Sequence, residues 1–351
     1  MPPQETGLTY NSWFGKFHLE MHWWHAAHFA MWDRLELLSK SLPWYDRILP
    51  MAQATAQRQG FQGARWPKMV GPDGQESPSN IGPFLIWQQP HPIYYAELCY
   101  RAEPTPATLA RYRTVVMETA AFMATYAAEV DGRFLLGPPM IPAQERFVPE
   151  ETYNATYELA YWDWGLRTAQ AWRERLGLSR EPHWDQVLAQ LSPLPVVDGV
   201  YVNAESHPDT FGPNGQRTDH PSLLAACGVL PVGLADAATM RRTLSQVWDS
   251  WSWSDTWGWD FPMTAMTAAR VGEPGMAVDA LLMDTLRNTY LSNGHNYNRP
   301  GLSVYLPGNG GVLMATAMMA AGWDGAPDNH APGFPQDGSW TVRWEGLRRM
   351  P

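Results

Sequence analysis

Helical periodicity is the feature that most limits what this chain can fold into. Apolar residues recur at three- and four-residue spacing through about eleven segments, and strict strand-like alternation is nearly absent. Residues 12–38 form one long segment, with no Pro and a single Gly, Gly15. Pro43 opens the next, which reaches Gln59 and stops at Gly60. Further helical patterns cover residues 91–101, 105–130, 151–176, 181–191, 222–227, 235–248, 261–271, 274–291 and 311–321. Between them run four long connections, at 60–90, 137–150, 196–221 and 290–310, rich in Pro, Gly and Trp. Long ordered loops of this kind usually carry function. Paired helices with elaborate loops at one end predict an all-α (α/α)6 toroid of about twelve helices, with its site at the loop-rich mouth. A plain helical bundle would not need four such loops. No composition shift or flexible linker divides residues 1–351, which therefore read as one domain.

Composition narrows the function. Hydrophobic residues make up 45 % of the 351, enough for a sizeable core. The net charge of -10 argues against a nucleic-acid partner, whose backbone needs a positive surface. The 19 Trp argue against disorder. No window has the length of uncharged apolar sequence that a membrane partner helix requires. Cys99 and Cys227 read as two buried thiols, too few for a disulfide scaffold or a four-Cys zinc site. The opening Met1-Pro2-Pro3-Gln4-Glu5-Thr6-Gly7 has neither the basic nor the apolar region of a signal peptide. The expectation is either a cytoplasmic protein or the later part of an exported precursor.

Aromatic density points to sugars. Trp offers a flat apolar face and one N–H donor, which suits a sugar ring's C–H face and hydroxyl rim. Trp24, Trp66, Trp87 and Trp259 all neighbour polar residues. Arg65-Trp66-Pro67-Lys68 and Trp87-Gln88-Gln89 place Arg65, Lys68 and Gln88 among aromatic residues in irregular loops. His18, His22, His25 and His28 recur at spacings of four, three and three, as if on one helix face. His18 and His22 could bind zinc, but the order is not His-Glu-x-x-His and no later partner motif follows. No metal and no cofactor are therefore expected, and the histidines read as a substrate-lining or structural face. Glycoside hydrolysis needs a carboxylic acid for the leaving oxygen and a second carboxylate as base or nucleophile. Glu145, in a rigid apolar loop before a long helix, fits the first role. Asp255 and Asp260 are candidates for the second, with Asp219 or Glu20 to be considered if Asp260 lies away from the cavity. Asp260 is preferred, because the Trp257-Gly258-Trp259 turn and a following helix N-terminus favour its ionised form, although it also reads as a helix cap. Gly308-Asn309-Gly310-Gly311 reads as a turn into the last helix, with Asn309 able to face the mouth.

Several of these segments together resemble the six-hairpin glycosidases, especially glycoside hydrolase families 65 and 95. His18-Leu19-Glu20-Met21-His22 resembles the family 65 segment Asp-Thr-Glu-Ile-Phe, which puts Glu20 on a sugar-contacting Glu. The run ending Glu20-Met21-His22-Trp23-Trp24 resembles the family 95 run ending Glu-Met-Asn-Tyr-Trp, whose Asn positions fall here on Lys16 and His18. Residues 137–167 resemble the family 65 pattern around Gly-Pro-Asp-Glu-Tyr-His and Asn-Ala-Tyr-Thr-Asn, here ending in Asn154-Ala155-Thr156-Tyr157-Glu158 and Trp162-Asp163-Trp164-Gly165-Leu166-Arg167. In both families the acid falls on Glu145. The base Asp of family 95 falls on Pro307 and is missing. The His-Ser-Ser phosphate run of the family 65 phosphorylases is absent from the stretch around 251–260.

The resemblance implies a catalytic toroid without the β-sandwich that precedes it in those families, as if detached from a longer protein. It further implies an inverting hydrolase of oligo- or polysaccharides, a carbohydrate partner, and hydrolysis rather than phosphorolysis. A noncatalytic carbohydrate-binding toroid, or a polysaccharide lyase using residues such as Tyr94, are the alternatives. Oligomeric state and the identity of the sugar are open.

Overall fold

The computed structural model describes residues 13–351. The leader reading of residues 1–7 and the helix start at Ser12 lie outside the described residues. The fold is an all-α toroid. Its helices are α1 His22–Ala26, α2 His28–Met31, α3 Leu35–Ser39, α4 Pro43–Arg58, α5 His91–Ala102, α6 Pro106–Tyr126, α7 Thr156–Arg175, α8 Pro182–Gln190, α9 Ala225–Gly228, α10 Ala237–Ser250, α11 Asp260–Arg270, α12 Pro274–Leu282 and α13 Leu306–Ala321.

Burial separates an inner ring from an outer layer. Around the ring α2 touches α5, α5 touches α7, α7 touches α9, α9 touches α11, and α11 touches α13, which returns to α1 and α2. All residues of α11 are buried, as are His91 to Cys99 of α5. A helix apolar on every side belongs in such a core. Outer α10, by contrast, buries only Met240, Thr243, Leu244 and Val247, a single stripe at helical spacing. Helices α6, α8, α10 and α12 form the outer layer against α5, α7 and α11. Pro within the first turn starts α4, α5, α6, α8 and α12, where the missing N–H costs nothing. Thr105 caps α6 by accepting from Thr108 N at 3.2 Å, and Asp236 caps α10 through Thr239 N at 2.7 Å.

Strands among the described residues form only two-stranded antiparallel pairs: β1 Phe17–His18 with β2 Met69–Val70, β3 Ala128–Val130 with β4 Arg133–Leu135, β5 Val196–Val197 with β6 Val200–Tyr201, and β7 Thr289–Tyr290 with β8 Asn296–Tyr297. The first pair corrects the expected helix over 12–38. Its start is drawn into β1 by β2, with Leu19 N also bonded to Lys68 O at 2.9 Å, and the remainder breaks into α1, α2 and α3. Tertiary pairing outweighs a local helical period here. His18 consequently leaves the helix face that His22, His25 and His28 were expected to share with it.

The Gly308-Asn309-Gly310-Gly311 turn is a second correction, because α13 begins at Leu306 and contains it. A Cβ on Gly310 would fall 1.7 Å from the Trp24 carbonyl oxygen, and one on Gly311 2.6 Å from Pro262 Cγ. The glycines cost helix propensity of about 1 kcal/mol each but let α13 lie directly on α1 and α11. The segment 274–291 is helical only to Leu282.

Four histidines are sealed in the ring. Burial lowers the His22 pKa well below its usual value, takes His25 and His91 to about 3, and takes His28 to about 4. A folded-state pKa below the unfolded one contributes stability present above about pH 6.5 and lost as pH falls toward the folded values. Denaturant unfolding at pH 7, 6 and 5 is expected to show stability dropping on the order of 1 kcal/mol per pH unit for each of the four below pH 6. A stability flat across that range would contradict their neutral burial.

Candidate active site

Each of the four long loops sends a residue to one small cavity. It has a volume of about 60 Å³, room for a couple of waters, and is lined by Trp13, Glu20, Met21, Lys68, Glu145, Asp219, His220, Trp257 and Tyr305. A larger groove of about 610 Å³ lies on the outer side, among Asp33, Glu36, Glu103 and Arg111, away from these loops.

Glu145 ends a tight turn in which its N–H donates to Pro142 O at 2.9 Å. Just before it, Ala143 N donates to Glu158 Oε1 of α7 at 2.7 Å, and burial pushes the Glu158 pKa up to about 7. Gln144 is wholly buried, and its amide N–H₂ donates to Gln216 O at 3.0 Å and Thr218 O at 2.9 Å. The loop carrying Glu145 is thereby tied to the loop carrying Asp219. Both acids are held in the left-handed region, Glu145 at φ 48° and Asp219 at φ 62°. That conformation costs a non-glycine residue on the order of 1 kcal/mol, and such strain collects at functional sites.

Charges alternate through the cavity. Lys68 Nζ pairs with Glu145 Oε1 and lies 3.5 Å from Glu20 Oε1. Asp219 Oδ1 accepts from Trp257 Nε1 at 2.9 Å, while Arg146 Nε stands 3.2 Å from Asp219 Oδ2. Burial, with Glu145 and Asp260 adding to it, raises the Asp219 pKa against the opposing pull of His220 and Arg146. His220 Nε2 is 3.4 Å from Asp219, and His220 Nδ1 donates to Asp260 at 2.9 Å. Burial alone would lower the His220 pKa. The Asp260 and Asp219 charges override it and carry the ring to about 9, so His220 is an imidazolium at neutral pH. Its ring stacks on Trp259 at 4.1 Å, and Trp259 in turn stacks on Trp24 at 4.8 Å and Trp87 at 6.0 Å.

The expected site residues divide accordingly. Glu20, Lys68 and Glu145 line the cavity together. Asp260 does not line it: the residue is wholly buried, and its carboxylate accepts from His220 and from Trp257 N at 2.8 Å, so it holds the ring that faces Asp219. Trp24, Trp87 and Trp259 form the buried stack behind His220. His18 is buried beside Trp13, ring edge to face at 5.6 Å. His22 is bonded to Tyr45 Oη and Ser41 Oγ in the core. Arg65 spends its guanidinium on the carbonyls of Trp66, Pro83 and Leu85 and on Gln89 Oε1. Gln88 donates to Trp66 O and Leu85 O, and Trp66 Nε1 donates to Thr119. Asn309 braces the β7–β8 hairpin, accepting from Asn296 N and donating to Gly294 O. Tyr94 sits wholly buried between α5 and α7. Among the described residues, no three His, Cys, Asp or Glu side chains converge as a metal site would need.

Sequence reasoning passed over His220, Tyr305 and Trp13, and held Asp219 only in reserve. The available signal was Asp219-His220-Pro221 closing a long Pro/Gly loop just before buried helical sequence. Because the folded pKa of His220 exceeds the unfolded one, its contribution to stability is full below about pH 6.5 and is lost as pH rises through 9. Denaturant unfolding should therefore show a loss of no more than about 3 kcal/mol between pH 6.5 and 9.5, and Asp260→Asn should flatten that loss while lowering stability at pH 6.5. An unchanged profile in the variant would sink the imidazolium assignment.

A scan of the sequence against protein-family models finds no match, and a search of curated proteins finds none. Solved structures do match. A protein described as a kojibiose phosphorylase from the human microbiome superposes over 90 % of this chain with TM-score 0.70 and 10 % identity, and the chain spans 51 % of its length. A glycosidase matches with TM-score 0.66 and 14 % identity over 90 % of both chains. A substituted form of a glycosidase with glucose bound matches at TM-score 0.65 over the same shares. Identities this low speak for architecture alone, an all-α toroid shared with these proteins.

Proposed function

We propose that the chain is an inverting glycoside hydrolase in which Glu145 and Asp219 form the carboxylate pair. The observation that carries this reading is that the two acids, on loops tied by Gln144, open onto one cavity beneath aromatic residues. Glu145 is the general acid, the role that its resemblance to families 65 and 95 implies. Asp219 takes the base role first assigned to Asp260. Its carboxylate is oriented by Trp257, and a pKa raised by burial makes it a stronger base for the attacking water. Asp260 then acts through His220 as a positioning residue. Lys68 and Glu20 lie where they can meet sugar hydroxyls. The absence of the phosphate-binding run favours water over phosphate as the acceptor.

A panel of aryl glycosides and natural disaccharides, with the released anomer followed by NMR, tests this reading. Inversion of configuration is expected. Glu145→Gln should lose on the order of 10²–10⁴-fold on a natural glycoside and much less on one with an activated leaving group. Equal loss on both would make Glu145 structural. Asp219→Asn should lose on the order of 10²–10⁴-fold on both kinds of substrate, and a fully active variant would exclude it as base. Gln144→Met should lower kcat by up to about 10²-fold by loosening the two loops, while Glu145 and Asp219 stay in place chemically. Sugar binding without turnover anywhere in the panel would instead favour the noncatalytic toroid.

A further inference from the structure

Trp257 faces two ways. Its indole N–H holds Asp219 inside the cavity, while two guanidinium groups meet its ring: Arg299 Cζ lies 4.9 Å and Arg287 Cζ 6.0 Å from its centre. Arg299 is exposed, and among the described residues its side chain makes no hydrogen bond or ion pair, while its backbone bonds to Leu302. Arg287 donates through Nε to Ser254 O at 3.2 Å and through one terminal nitrogen to Asn298 O at 2.8 Å; its other terminal nitrogen has no partner among the described residues. Neither arginine has a carboxylate within ion-pair distance there. Asp255, the nearby acid, accepts instead from Ser252 Oγ at 2.7 Å. Burial, and then the neighbouring Arg299 charge, lower the Arg287 pKa against the weaker opposing pull of Asp255, Asp219 and Tyr305.

A chain of net charge -10 has acids to spare, yet among the described residues none makes an ion pair with either arginine over Trp257, a residue that lines the cavity. Two guanidinium groups gathered at one ring match an oxyanion, because each offers planar N–H donors to its oxygens. The aromatic ring beneath them keeps both oriented through cation–π contact. Resting on the glycoside-hydrolase reading, we infer that the substrate is a negatively charged glycoside, whose carboxylate, sulfate or phosphate group is bound by Arg287 and Arg299 across Trp257 while its glycosidic bond lies between Glu145 and Asp219.

Calorimetric titration of the full chain with glucose, glucuronate, glucose 6-sulfate and glucose 6-phosphate tests the subsite without requiring turnover. At least one charged sugar is expected to bind about tenfold or more tighter than glucose, and the identity of that sugar separates the three anions. The advantage should shrink as KCl is raised. Arg299→Gln removes no hydrogen bond from the fold and should reduce the charged-to-neutral ratio severalfold. Arg287→Lys, which keeps the charge but not the planar fork, should reduce it less. If no charged sugar binds more tightly than glucose, or if the ratio survives in both variants, the inference is overturned. Absence of hydrolysis with the charge preference intact would count against the catalytic reading alone.

Discussion

A buried amide ties together the loops that carry the two acids of this cavity. Gln144 sits one residue before Glu145 and donates to two carbonyls just before Asp219. The ion pair between Arg146 and Asp219 at 3.2 Å and the ring contact of Phe147 with His207 at 4.6 Å tie the same two loops again. Each acid also occupies a left-handed backbone conformation that an L-residue adopts at a cost, and the surrounding bonds must enforce it. Ala143 on Glu158, Trp251 on the Asp219 carbonyl and Trp257 on its carboxylate supply that enforcement. The geometry is thus built into the protein before a ligand arrives.

The electrostatics follow from the same arrangement. A buried carboxylate is tolerated when paired and hydrogen-bonded, and each acid here has a cation beside it: Lys68 for Glu145 and Glu20, Arg146 and His220 for Asp219, and His220 again for Asp260. His220 is shared by two acids, and the buried Trp259 face fixes its plane. Asp260 therefore shapes the field at Asp219 from a position with no exposed surface.

Much of the ring was legible in the sequence, because inner and outer helices differ in how many sides they bury and because Pro marks their first turns. Helices α4 to α8 fall within a few residues of their periodic patterns. The first segment was not legible, since pairing between residues 17–18 and 69–70 is decided by chain distant in sequence. Nor was the role of Gly310, whose need for close approach to Trp24 exists only once α13 meets α1. All four long loops reach the cavity, but composition could not say which polar side chains face it. Arg65 and Gln88 look like ligand-binding groups in a Trp-rich loop, and they bond instead to backbone carbonyls that have no helix or strand to satisfy them. Asp219 and His220 carry no motif, and only their neighbours in space reveal them.

The return of α13 onto α1 and α2 has a kinetic consequence. Residues 306–321 complete a ring begun at residues 22–31, so its last interface joins the ends of nearly the whole chain. Hairpins such as α6–α7 can form from local contacts, but closure must bear the entropy of a very long loop. During synthesis the exposed sides of α1 and α11 wait for α13 to emerge, and until then they present Trp24 and Pro262 to solvent or to a chaperone. The toroid is a helical protein whose assembly is governed by contacts as distant as those of a β-barrel.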